Sequence, residues 1–209
     1  MSIVKLNNRG VKNATAFGSI TGLGSMTFIK KLTASSSATL SFVHGSGGVD
    51  FSTYKEYVFT FNNIHPGSHD TDFTFQGSID SGSNYNVAMT TTVVSPYHYE
   101  NDGGALLYYN APKDQAQGTA FQSISDGVGN EADQSVSGSL HLFNPSSEIF
   151  VKHYICNVQT SCLDSSDDAY SMNDLSAGYF NNTNNIDAIQ FKMSSGNIDA
   201  GDICLYGIA

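Results

Sequence analysis

The chain has 209 residues and a formal net charge of −10, from 9 Lys+Arg against 19 Asp+Glu, and Lys30-Lys31 is its sole basic run. Phosphate neutralisation needs clustered cations, so this balance excludes nucleic acid as a partner, and no stretch nears the roughly 20 apolar residues of a membrane-inserted helix. Charged residues make up only 13% of the chain, well below the quarter or so of an ordinary soluble domain, which argues against a cytosolic enzyme and suits a β-protein whose surface meets other proteins or sugars.

Residues 1–24 carry glycines and small polar residues with no sustained period of either kind. The sequence predicts an N-terminal arm here, ordering against a neighbour through Ile3, Val4, Leu6, Phe17, Ile20 and Leu23. These first residues also lack the apolar core and cleavage site of a signal peptide, so the expectation is a chain not routed to secretion.

From Met26 onward the pattern is β. Alternating or β-branched and aromatic runs predict strands over 26–32, 39–43, 54–64, 72–79, 85–94 (stopped near Pro96) and 106–109, with a weaker one over 119–124. Runs over 136–143 and 149–156 flank Asn144-Pro145-Ser146-Ser147 and read as a hairpin. A polar loop then contains Asp164 to Asp168, and 177–180 reads as a short strand. Two last runs, 188–193 and 203–208, are separated by a Gly/Asn/Asp-rich turn and read as a closing hairpin. No segment combines helical period, capping box and terminal glycine. The expected fold is all-β: a single jelly-roll-like β-sandwich over 25–209 with an extended N-terminal arm over 1–24.

The three cysteines, Cys156, Cys162 and Cys204, form no Cys-x-x-Cys pair. An odd count is a poor disulfide framework. Cys156 and Cys204 read as small buried hydrophobes, with a Cys156–Cys162 bridge as the lesser alternative.

Several blocks are familiar as a set. FIKKLTASSS (28–37), YKEY (54–57), FNNIHP (61–66), DSGSNYN (80–86), LHLFNPSS (140–147) and IQFKMSSGNIDAG (189–201) resemble jelly-roll virion structural proteins of marine tailed phages. The resemblance spans nearly the whole chain from about Leu6. Leu205-Tyr206-Gly207 is also similar to the last strand of phage jelly-roll appendage modules. The resemblance implies localisation in the virion of a phage of cyanobacteria or other marine bacteria, with other capsid or tail proteins as partners. It leaves open a capsid decoration (cement) protein or a tail fibre module, and it brings no catalytic motif. A homo-oligomer, a trimer first, would bury the arm. The alternative is a lectin-like domain recognising a host surface glycan.

Candidate sites are few. Tyr97, His98, Tyr99, Tyr108 and Tyr109 form a candidate aromatic surface for a glycan or for a subunit interface. His65, His69, Asp70 and Asp72 read better as a turn than as metal ligands, because Pro66-Gly67 forbids a helix that would converge them. The acidic loops 126–133 and 164–168 lack the ligand spacing of a calcium loop. No G-x-S-x-G or H-E-x-x-H motif is present, so the expectation is a non-enzymatic chain without metal or cofactor.

Overall fold

The computed structural model describes residues 26–163 and 168–209; the arm residues Ile3, Val4, Leu6, Phe17, Ile20 and Leu23 lie outside them. The described strands are β1 (Met26–Thr33), β2 (Leu40–Val43), β3 (Glu56–Pro66), β4 (Phe73–Ser78), β5 (Met89–Tyr99), β6 (Ala105–Tyr109), β7 (Ala116–Gly118), β8 (Gln122–Ser123), β9 (Val136–Phe143), β10 (Lys152–Leu163), β11 (Ala169–Phe180), β12 (Ala188–Met193) and β13 (Ile198–Ile208). They form two antiparallel sheets. The large one runs β1-β13-β3-β9-β10-β11-β5-β6, with β7 also paired to β5, and the small one runs β2-β12-β4-β8.

The wiring is that of a jelly roll. Taking β1, β2, β3, β4, β8, β9, β12 and β13 as a framework numbered one to eight, the sheets read 1-8-3-6 and 2-7-4-5. The chain changes sheet at every framework step except β4 to β8. Two insertions complete the molecule. Strands β5, β6 and β7 leave between β4 and β8, and the β10–β11 hairpin leaves between β9 and β12. Both add to the large sheet beyond β9, which makes it about twice as wide as the small one.

Alternation explains the sandwich. In β10 every second residue from Lys152 to Cys162 is buried and the intervening ones are exposed. Between the sheets, Phe191 of β12 makes ring contacts with Phe42, Phe59, Phe61, Phe73 and Phe75 at centroid separations of 5.3 to 6.4 Å. Most are edge-on, the arrangement aromatic quadrupoles prefer. At the end of β13 the Tyr54 ring lies against the backbone of Gly207, where any Cβ would fall 2.1 Å from a ring carbon. That gives the Leu205-Tyr206-Gly207 sequence a packing reason.

The sequence reading needs four corrections. Strands β12 and β13 are not a closing hairpin: β12 pairs with β2 and β4, while β13 pairs with β1 and β3. The turn between them carries the chain from one sheet to the other. Strand β5 does not stop near Pro96 but runs on to Tyr99. The missing N–H is tolerated because the β5–β11 ladder skips from Val94 to Tyr97. The polar stretch after Cys156 is not mainly a loop, since β10 continues to Leu163 and pairs along its length with a twelve-residue β11. Finally, Cys156 and Cys162 share one strand face about 20 Å apart, beyond disulfide reach, and all three cysteines are free.

Lys152, fully buried, shows how the β9–β10 connection is held. Its ammonium donates to the carbonyls of Ser147, Phe150 and Asn182 at 3.0, 3.4 and 3.1 Å. Burial pulls its pKa down, and the carbonyl dipoles replace the water that it lost.

Replacing the central ring tests the packing. Phe191→Ala should lower the unfolding free energy by about 3–5 kcal/mol. Urea titration followed by tyrosine fluorescence reads this directly, and a loss below about 1 kcal/mol would mean that the cluster does not join the sheets.

Candidate binding site

The small sheet meets Phe180 of β11 through Phe75 and Thr91 of β5 through Gln122, and past these points the inner face of β11, β5 and β6 extends beyond it. Tyr97 and Tyr99 alternate onto that face from β5. Register then brings Tyr170 of β11 opposite Tyr99, and β6 places Leu106 opposite Tyr97 and Tyr108 opposite Ser95. Four half-buried tyrosines therefore converge from three strands. Tyr97 is their hub, with centroids 5.6 Å from Tyr99, 6.1 Å from Tyr108 and 6.0 Å from Tyr170, and Tyr99 lies 5.4 Å from Tyr170. With Met172, Asp70, Asp126 and Gly127 they line an open cleft of about 230 Å³.

Carboxylates form its deeper wall. Asp174, fully buried, accepts from the Ser95 hydroxyl at 2.5 Å and from the Asp126 N–H at 3.0 Å. Asp126 accepts from the Asn110 amide at 2.9 Å and pairs with Lys113 at 2.8 Å. The Tyr108 hydroxyl stands 3.5 Å from the same carboxylate. Lys113 also donates to Asp72 at 2.6 Å, and Asp72 accepts from the Gly127 N–H at 3.2 Å. One ammonium thus faces two carboxylates, with Asp174 behind them and Asp70 at the rim. Burial raises the Tyr108 and Tyr170 phenols and pushes the Cys162 thiol up to about 12. All three stay protonated at neutral pH, and Cys162 is unreactive as a nucleophile.

The sequence expectations divide here. Tyr97, Tyr99 and Tyr108 come together as an aromatic surface, whereas His98 and Tyr109 alternate to the opposite face. His98 there meets Asp102 at 3.3 Å, and the Tyr109 hydroxyl donates to Asp114. Tyr170, Met172 and Asp174 were missed because their stretch reads as polar loop. The alternation Tyr170, Met172, Asp174, Ser176 was the available signal. Residues 67–72, with His69, form the turn between β3 and β4 and deliver Asp70 and Asp72 to the cleft, whereas His65 lies at the end of β3 with its Nδ1 2.7 Å from the Gln134 carbonyl. Asp126, weighed as part of a calcium loop, is an ion-pair partner instead. Among the described residues no group of three or more His, Cys, Asp or Glu is arranged to hold a metal; 164–167 of the second acidic loop lie outside them.

Chemically, the cleft offers aromatic faces beside hydrogen-bond acceptors. Half-exposed tyrosine rings suit the C–H faces of a pyranose, and carboxylates accept from its hydroxyls. The excess of carboxylates disfavours an anionic ligand.

Asp174 makes this wall sensitive to pH. Burial pushes its pKa from the ordinary 3.8 up to about 6, against the lowering effect of Ser95 and the Asp126 amide. The folded chain therefore keeps a proton that the unfolded chain releases. The stability that this group contributes is full below about pH 3.8 and is lost as pH rises through about 6, a change on the order of 3 kcal/mol. Denaturant titrations at several pH values should show wild type losing that much relative to Asp174→Asn between pH 4 and 7. A constant difference would mean that Asp174 is ionised throughout.

No protein-family model, curated protein or solved structure matches this chain.

Proposed function

We propose that this chain is a non-enzymatic structural protein of a tailed-phage virion, an exterior appendage module that holds a host surface glycan in the tyrosine cleft. The observation that carries the reading is the convergence of Tyr97, Tyr99, Tyr108 and Tyr170 beside Asp70 and Asp126 in an open cleft. The sequence blocks that resemble marine phage structural proteins supply the virion context. The jelly-roll wiring agrees with that resemblance, although a fold alone hosts many functions.

Placement supports display. Met26 pairs with Ile208 at one corner of the large sheet. Tyr97 lies six strands away and toward the other strand ends, about 40 Å across the sheet. A chain anchored through its N-terminal segment would hold the cleft at the corner remote from the anchor. The acidic wall narrows the ligand to neutral or amine-bearing sugars.

A second reading, capsid decoration, draws on the outer face of β9, β10, β11, β5 and β6, whose outward side chains include no Asp, Glu, Lys or Arg. In that reading the protein contacts shell subunits through this face and has no use for the cleft.

The test is a glycan array probed with the purified full-length protein. Neutral or amino sugars should bind, uronic acid and sulfated sugars should not, and Tyr97→Ala or Tyr170→Ala should weaken binding about tenfold or more with unchanged thermal unfolding. Binding that survives both substitutions, or an empty array, would remove the receptor role and leave the decoration reading.

A further inference from the structure

The large sheet has a second face, turned away from the small sheet, and across five strands it carries no fixed charge. Its outward residues are Ser137, Ser139, His141 and Phe143 on β9, alternate residues from His153 to Leu163 on β10 and from Ala169 to Tyr179 on β11, alternate residues from Thr90 to His98 on β5, and Ala105, Leu107 and Tyr109 on β6. None of these is Asp, Glu, Lys or Arg. The nearest carboxylates stand at the rim: Glu56 beside His141 at 2.6 Å, Asp102 beside His98 at 3.3 Å, and Asp114, which accepts from the Tyr109 hydroxyl and the Val93 N–H at the β6 edge. For a chain with 28 charged residues (9 basic plus 19 acidic), so large a blank area is unusual.

The same face exposes apolar groups. Leu107 is 69% exposed, Tyr109 58%, Ile155 53% and Leu175 41%. Register makes them one stripe, because Tyr109 is opposite Val94, Val94 opposite Leu175, and Ala177 opposite Ile155. Large exposed apolar patches on soluble domains mark interaction surfaces.

We propose that this face pairs with the same face of a second copy of the chain, in a two-fold, sheet-on-sheet dimer. Charge argues for self-association. Two copies at −10 each repel wherever carboxylates meet, and here two large surfaces of described residues can approach with their fixed charges held at the rims, about a screening length apart. Area agrees with it. Five strands at about 4.8 Å spacing and about 30 Å length present roughly 700 Å², close to the 800 Å² or so per partner of a stable interface. Twisted sheets pack face to face at about 10 Å with their strands inclined, and a patch meeting itself closes on a two-fold axis. This differs from the trimer expected from the sequence, and it does not rest on the glycan reading.

The test is the solution mass of the full chain by light scattering from about 1 to 100 μM, with Ile155→Glu and Leu175→Glu as variants. Both side chains are exposed in the single chain, so the substitutions should leave folding intact. The expected result is twice the 22.3 kDa chain mass for wild type and a single chain mass for either variant, with thermal unfolding of the dissociated variants still cooperative. A wild-type monomer throughout would overturn the proposal. So would a trimer, or a dimer unaffected by both substitutions. A wild-type monomer whose melting temperature falls sharply with Ile155→Glu would instead assign the face to residues 1–25 of the same chain.

Discussion

The rest of the molecule depends on the contact between a narrow sheet and a wide one. Phe191 and the rings gathered around it fix the small sheet over the framework half of the large sheet, and Phe75 carries the contact on to Tyr154 and Phe180, leaving only the far ends of the inserted strands with no sheet opposite. A sandwich normally hides both inner faces, and alternation then confines apolar residues to them. Here the far ends of the inserted strands must deal with their inner surface by other means. Loops near Asp126 and a hydrogen-bonded polar network cover part of it, and the tyrosine cleft is the part that remains open.

That asymmetry also explains the unusual chemistry below the tyrosines. A core packed by rings would not admit Asp174, Ser95, Asn110 and Gln122, all buried. Along the edge of the small sheet and beyond it these groups satisfy one another: Thr91 donates to Gln122 of β8 at 2.8 Å, Ser95 to Asp174, and Asn110 to Asp126. A connected polar layer of this kind is stable only while each member keeps its partners. It fixes the rotamers behind the cleft, so the rings above it are held rather than free to fold inward. Pre-placed rings bind with less entropic loss than mobile ones.

Much of the framework was legible in the sequence. Strands with one apolar face, such as 56–66 or 136–143, announce themselves through alternation, and the jelly-roll class follows from their number and spacing. The long polar hairpin was not legible, because its outer face carries Asn157, Gln159, Ser161, Ser171 and Asn173, which composition assigns to loops. Pairing was the other hidden quantity. Residues 188–193 and 203–208 look like hairpin partners until the whole sheet order is known, because alternation says which side a residue faces but nothing of which strand lies beside it. The cleft suffered most from this. Tyr99 and Tyr170 are 71 positions apart (170 less 99) and meet only through the β5–β11 register, whereas His98 and Tyr109, neighbours of the right tyrosines in sequence, face the wrong way.

The pairing of Met26 with Ile208 has a mechanical side. Among the described residues strand β1 is an edge strand paired with β13 alone, and Met26 and Ile208 stand at the same corner. A force pulling those ends apart would act across the β1–β13 ladder and open it one hydrogen bond at a time, which needs little load. A force between an anchor at Met26 and a ligand at Tyr97 is different, because it crosses the whole sheet and is shared among several ladders and the ring cluster beneath them. The fold is therefore weak when stretched end to end and strong when pulled from corner to corner.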